Sequence, residues 1–237
     1  MTALLTFEKV PLARVRRSTL GGSAPLPVDA DGEISLEVQA HETVAAVGDE
    51  TSGVDLLGGL ALGLDRVPEG RVTVLGTDLA TLDRVALLTF RRKIGYLPAG
   101  DGLMQNLTLR DNIRLPLRFG SNFRYKDIEG RVDVIVAQLR LTRVADRRPA
   151  QANAEERRRA ALGRALAFDP DLVILEEPFD GLTEKAAAEV LELARGGEVP
   201  EGGRRTVFIT GQDLPALLRR RVDRQIRVRK GSVEVPA

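Results

Sequence analysis

Apolar residues recur along this chain in two rhythms. Residues 4–10 and 34–39 alternate or are rich in β-formers, the pattern of half-buried strands. Residues 43–47 and 71–75 are short apolar runs that stop at Gly48 and Gly76, and residues 172–175 and 206–210 have the same strand character. Two further β-type runs, 224–228 and 232–235, flank the turn signal Lys230-Gly231. Between them the rhythm turns helical. Val132, Ile135, Val136 and Leu139 share one face, as do Leu162, Ala165 and Leu166, and again Ala187, Val190, Leu191 and Ala194. Residues 16–33, rich in Gly, Pro, Ser and Asp, read as loop. Strands alternating with helices predict an α/β core around a mixed, largely parallel sheet, preceded by antiparallel strands. The helix-rich stretch from about 97 to 160 interrupts that core as an inserted subdomain. The expectation is a single domain over 1–237, with its core in about 1–96 and 161–237.

Composition narrows the possibilities. A chain of 237 residues, 43% hydrophobic, is long enough for one such domain with a sizeable core. The net charge of +1 gives no global argument for nucleic acid, and none is expected as a partner. With no cysteine and one histidine, His41, disulfides, cysteine nucleophiles and multi-histidine metal centres are excluded. His41 reads as a surface residue and Tyr96 as packing. No metal-ligand spacing stands out, and no metal is expected. No apolar run approaches the roughly 18 residues of a membrane span. The first residues lack a leader pattern. The expectation is a cytoplasmic chain that reaches a membrane only through other subunits. Arg157, Arg158 and Arg159 read as a solvated helix face or a subunit contact, and Arg219 to Arg221 likewise.

One segment carries a family resemblance. Residues 160–182, AALGRALAFDPDLVILEEPFDGL, are similar to the ABC ATPase stretch that runs from the signature helix through Walker B. The Glu177-Pro-Phe-Asp-Gly181 ending is most similar to the phospholipid-transport (Mla/Mce-type) members. Other segments then fall into register: residues 48–55 at the phosphate loop, 94–98 at the Q-loop strand, and 107–113 at the start of the helical subdomain. The resemblance implies a P-loop NTPase fold with a RecA-like core, a transmembrane permease as partner, and pairing with itself or with another ABC ATPase.

ATP hydrolysis in that family asks for a phosphate-cradling loop with a lysine, a magnesium-binding hydroxyl, two acids, and a γ-phosphate sensor. At the matching positions this sequence departs almost throughout. The phosphate loop reads Gly48-Asp-Glu-Thr-Ser-Gly-Val-Asp55: Thr51 replaces a glycine, Ser52 and Gly53 follow, Val54 replaces the lysine, and Asp55 the hydroxyl. Asp49 and Glu50 add negative charge. The signature serine is Asn153, followed by Ala154 and then Glu155 in place of a glycine. The Q-loop glutamine is Ala99, the D-loop aspartate Thr183, and the switch histidine Gln212. No aromatic stands at 11–17, where the family stacks adenine. Glu176 and Glu177 remain at the Walker B positions. The reading is a vestigial site with no catalytic residues in use and no cofactor, ATP with magnesium binding only weakly or through a partner. The chain then reads as a pseudo-ATPase subunit with a structural or regulatory role in a membrane complex, in which lipid is a candidate cargo. The runner-up is one half of a heterodimer whose intact partner supplies the nucleotide site. A third reading is an acidic pocket of Asp49, Glu50 and Asp55 that takes a cation or a basic peptide.

Overall fold

The computed structural model describes residues 2–15, 32–67, 69–196 and 204–234. Most of the loop expected at 16–33, and the last residue of the run ending at Val235, lie outside them. Strand β1 (Ala3–Pro11) pairs antiparallel with β2 (Glu33–Gln39) and with β4 (Arg71–Val74), which pairs in turn with β5 (Thr77–Asp78). In β2 the alternation is visible residue by residue. Ile34, Leu36 and Val38 are buried, while Glu33, Ser35 and Glu37 face water.

The second sheet has the order β10-β9-β3-β8-β7-β6, with β3 (Thr43–Val47), β6 (Ile94–Leu97), β7 (Leu172–Glu176), β8 (Thr206–Gly211), β9 (Arg224–Arg229) and β10 (Ser232–Glu234). Its pairings are parallel except the terminal β9–β10 hairpin. The central strands lack alternation because both faces are covered. Ala45, Val47, Val173, Leu175, Val207 and Ile209 join one core, and Val44, Ala46, Ile174 and Phe208 join the other. The first core packs against the helices that follow β6. The second lies under the antiparallel sheet and the short helix α1 (Leu56–Ala61).

Helix α2 (Arg84–Phe90) precedes β6. The inserted helices are α3 (Leu109–Gly120), α4 (Tyr125–Gln138) and α5 (Ala154–Ala165), and α6 (Glu184–Arg195) follows β7. The subdomain boundary expected at 160 falls inside α5. Helices α3 and α4 form an antiparallel hairpin, registered by Arg114–Glu129 at 2.6 Å and by the Arg110–Asp133 pair. The linker into α3 is tied down by Asn112, which is fully buried. Its amide accepts from Met104 N at 2.7 Å and donates to the carbonyls of Met104 and Thr108.

The arginine run of α5 is not a solvated face. Arg158 and Arg159 are only 5% and 6% exposed. Arg158 is covered by the loop at 100–102, which folds onto α5 and turns its carbonyls toward the arginines. Arg158 donates to the Gly100 carbonyl, Arg164 to the Gly102 carbonyl at 2.6 Å, and Arg157 to the Asp101 carboxylate at 3.0 Å. Arg159 is held by Glu155 and Glu189, each at 2.5 Å, and so joins α5 to α6.

Candidate functional site

The strand-to-helix turn at 48–55 leaves the carboxyl end of β3, where parallel α/β sheets place their ligand sites. Its polar groups are engaged by one another. The Asp49 carboxylate accepts from Thr51 N at 2.9 Å and from Thr51 Oγ1 at 2.8 Å, and these bonds hold its pKa below the ordinary aspartate value. Ser52 is buried, and its Oγ donates to the Asp49 carbonyl at 2.6 Å. Gly53 takes a φ of +80, which a glycine accepts without strain. Gly48 is equally required, since a Cβ there would lie 2.7 Å from the Val228 carbonyl. Val54 is 4% exposed and packs into the second core with Leu57 and Leu60. Asp55 is exposed at the start of α1.

Glu176 ends β7 and turns toward α1. Its Oε2 accepts from the Tyr96 hydroxyl at 2.7 Å and lies 3.4 Å from the Ala99 amide nitrogen. A Cβ at Gly58 would come within 2.0 Å of its Oε1, so a glycine in α1 makes room for this carboxyl. Tyr96 therefore does more than pack. Burial raises the pKa of Glu176, and burial beside Glu176 raises that of the Tyr96 phenol. A raised carboxyl pKa favours the folded state below the ordinary value of 4.5, and that contribution is lost as pH rises through the folded-state value. Glu176→Gln is therefore expected to raise the melting temperature by a few degrees at pH 8 and to leave it unchanged at pH 4. Melts of both proteins across that range check this, and a gain that does not grow with pH would remove burial of the charge as its cause.

Glu177 follows with a φ of +43, a turn that aims its carboxylate along β8. Oε1 accepts from Gln212 N at 2.8 Å, and burial raises its pKa also. The Gln212 side chain reaches Glu50 at 3.4 Å, so the switch position and the 48–55 turn meet through their own side chains. A cavity of about 320 Å³ opens beside Glu177, lined also by Asp180, Gly211 and Asp213. A larger groove of about 1320 Å³ runs between α4 and α6, away from this cluster, and its rim cations Arg140 and Arg221 are paired with Glu189 and Glu192.

The signature-like residues stand apart, at the start of α5. Asn153 is the N-cap. Its side chain accepts from Glu156 N at 2.8 Å, and Glu156 returns the bond to Asn153 N at 2.9 Å. Ala154 begins the helix, and Glu155 is spent on Arg159. Thr183, at the D-loop position, caps α6. The structure thus brings together 48–55, Glu176, Glu177 and Gln212, and among the described residues no hydrogen bond or ion pair joins Asn153, Ala154 or Glu155 to them. Sequence reasoning missed Tyr96 as the partner of Glu176. The pairing needs the parallel register of β6 and β7, which sets Tyr96 opposite Ile174, two residues before Glu176.

Comparison with known proteins gives the lineage and the fold. The ABC transporter family model matches residues 32–180. The lipoprotein-releasing system ATP-binding protein LolD of Chromohalobacter salexigens is 33% identical over 173 residues, 73% of each chain. The methionine import ATP-binding protein MetN 2 of Pseudomonas aeruginosa is 28% identical over 84% of this chain, which spans 58% of that relative. Among solved structures, the ATP-binding cassette MJ0796, dimeric with ADP and Pi, aligns with a TM-score of 0.77 at 24% identity, over 97% of this chain and 96% of its own. The protein cbiO1 of Clostridium perfringens aligns at 0.79 with 17% identity, over 99% and 88%. At these identities the solved structures speak to the fold, and the family model and LolD to the lineage. The chain belongs to the ABC transporter ATPase family.

Proposed function

We propose that this chain is an ABC ATPase-like subunit that does not hydrolyse ATP and holds the ATPase position beside a transmembrane permease. The observation that carries the reading is the internal engagement of the 48–55 turn: Asp49 sits on the Thr51 N–H, Ser52 on the Asp49 carbonyl, and Val54 in the core. Magnesium and ATP do not fit these residues. The turn contributes the carboxylates Asp49, Glu50 and Asp55 and no cation. These like charges repel a polyphosphate, and solvent at the exposed turn weakens that repulsion without reversing its sign. A helix N-terminus favours an anion by only about 0.3–2 kcal/mol, and α1 has just six residues. Repulsion outweighs attraction, so no catalytic step is assigned to Glu176, Glu177 or Gln212. Among the described residues no helix is long and apolar enough to cross a membrane, and the chain in this reading sits at the cytoplasmic face through its partners. On the likeness of residues 177–181, with LolD named for lipoprotein release, the cargo of the complex is a lipid or a lipid-bearing molecule.

Calorimetry of the purified chain with millimolar ATP and magnesium tests this. No resolvable heat is the expected result, and micromolar binding would overturn it. A second reading has its own observation. The first turn of α5 is well formed, with Asn153 and Ala154 exposed, so it could face the nucleotide of an intact partner ATPase. Co-purification with such a paralogue, and ATPase activity only in the pair, would favour that heterodimer.

A further inference from the structure

Every strongly exposed aromatic among the described residues lies at one place, the tip of the α3–α4 hairpin. Phe119, Phe123 and Tyr125 are 74%, 51% and 72% exposed, whereas Phe7, Phe90, Phe179 and Phe208 are buried. Isolated exposed apolar residues need no explanation, but three aromatics within seven positions do. They are interleaved with cations in the order Arg118, Phe119, Phe123, Arg124, Tyr125, Lys126. Further down the same hairpin Arg110 and Arg114 are neutralised by Asp133, Asp111 and Glu129. At the tip, Arg118, Arg124 and Lys126 form no ion pair with any described residue. Arg118 instead lies 5.6 Å from the Phe119 ring centre. Exposed Arg92 adds a fourth cation, since a Cβ at Gly120 would lie 3.7 Å from its Nε.

We propose that this tip is a direct contact with an anionic lipid surface. Aromatic rings partition to the bilayer interface, and cations beside them gain from the negative headgroups. Neither cavity described above is lined by residues of this tip, so a flat surface suits it better than a strand laid in a groove. The charges are complementary, and the inserted rings are the ones the fold leaves uncovered. The chain thus contributes its own membrane contact, in addition to whatever a permease provides.

Sedimentation of the purified chain with phosphatidylglycerol–phosphatidylcholine vesicles tests this at about 0.1 M salt. Binding is expected to the anionic vesicles, weakening as salt rises, and not to pure phosphatidylcholine. At about 1 kcal/mol per cation near the surface, R118Q/R124Q/K126Q should lower the partition coefficient about a hundred-fold. F119S/F123S/Y125S should lower it at least about ten-fold. Both triple variants alter exposed positions, so unchanged melting confirms that they fold. No binding by the wild type, or equal binding by either folded variant, overturns the proposal. Binding of a single-stranded oligonucleotide that the same variants abolish, without vesicle binding, would assign the tip to nucleic acid instead. None of these readings uses nucleotide turnover, so their failure leaves the pseudo-ATPase proposal untouched.

Discussion

Replacing Val54→Lys together with Asp55→Ser is expected to raise ATP affinity about a hundred-fold while hydrolysis stays at background. The double change removes one negative charge from the 48–55 turn and adds one positive charge. Each pairwise term is about 4 kcal/mol at 4 Å and an effective dielectric of about 20. Solvent at an open turn leaves about 3 kcal/mol in all, or two orders of magnitude in affinity. The new lysine must carry its ammonium out of a position that is now 4% exposed, so a melt should accompany the binding measurement. Hydrolysis needs more than affinity. Glu176 remains bonded to Tyr96, Glu177 to the Gln212 amide, and the Gln212 side chain stays near Glu50. In a dimer, the facing helix start would still offer Asn153 and Glu155. Steady-state phosphate release decides the matter. Turnover restored by these two substitutions alone would show that the other departures are harmless.

Arg158→Met is expected to lower the melting temperature by about 4–8 °C, whereas Arg157→Ala should change it by no more than about 2–4 °C. The two arginines are adjacent and both hold the 100–102 loop, but burial separates them. Arg158 is 5% exposed and donates to the Gly100 carbonyl, close to the charges of Asp101, Asp180 and Glu177. Its loss removes a partly buried, charge-assisted hydrogen bond, worth about 2 kcal/mol, and a domain of this size shifts by roughly 2–4 °C per kcal/mol. The Arg157–Asp101 pair is partly solvated, and such pairs contribute about 0–1 kcal/mol. Hydrogen exchange gives the local readout: amides at 100–104 should lose protection in Arg158→Met. Equal shifts for both variants would mean that burial of Arg158 does not set the strength of the clamp.

The two arginines also mark where the sequence stops being legible. Three consecutive charges on a helix read as a wet face, because a local pattern carries no record of a distant loop that folds over it. Tyr96 read as packing for the same reason, since its hydroxyl finds Glu176 only once β6 and β7 are in register. The Asn153–Glu156 capping box needs nothing beyond a turn of helix, yet in the sequence its residues read only as signature positions. Their spending on the cap, with Glu155 drawn off to Arg159, is a tertiary fact. At the hairpin tip the aromatic and basic residues stand in the sequence in plain order. Only the exposure of their rings, set by how α3 and α4 pack, makes them a surface.

The sequence by itself determined the strands other than the two-residue β5, their alternation in β2 and its loss in β3 and β7, and the ABC lineage carried by residues 160–182. The strands follow from short-range periodicity, and the lineage from the resemblance of one contiguous stretch to a known family. It also listed which chemical groups stand at the nucleotide positions. The tertiary structure decided what those groups bond to: Asp49 to its own turn, Gln212 to Glu50, Glu176 to Tyr96, and Arg158 to the Gly100 carbonyl. Partners brought together from strands and loops tens of residues apart are chosen by sheet register and by the demand that buried polar groups find a donor or acceptor. Neither is written in any local stretch of the chain.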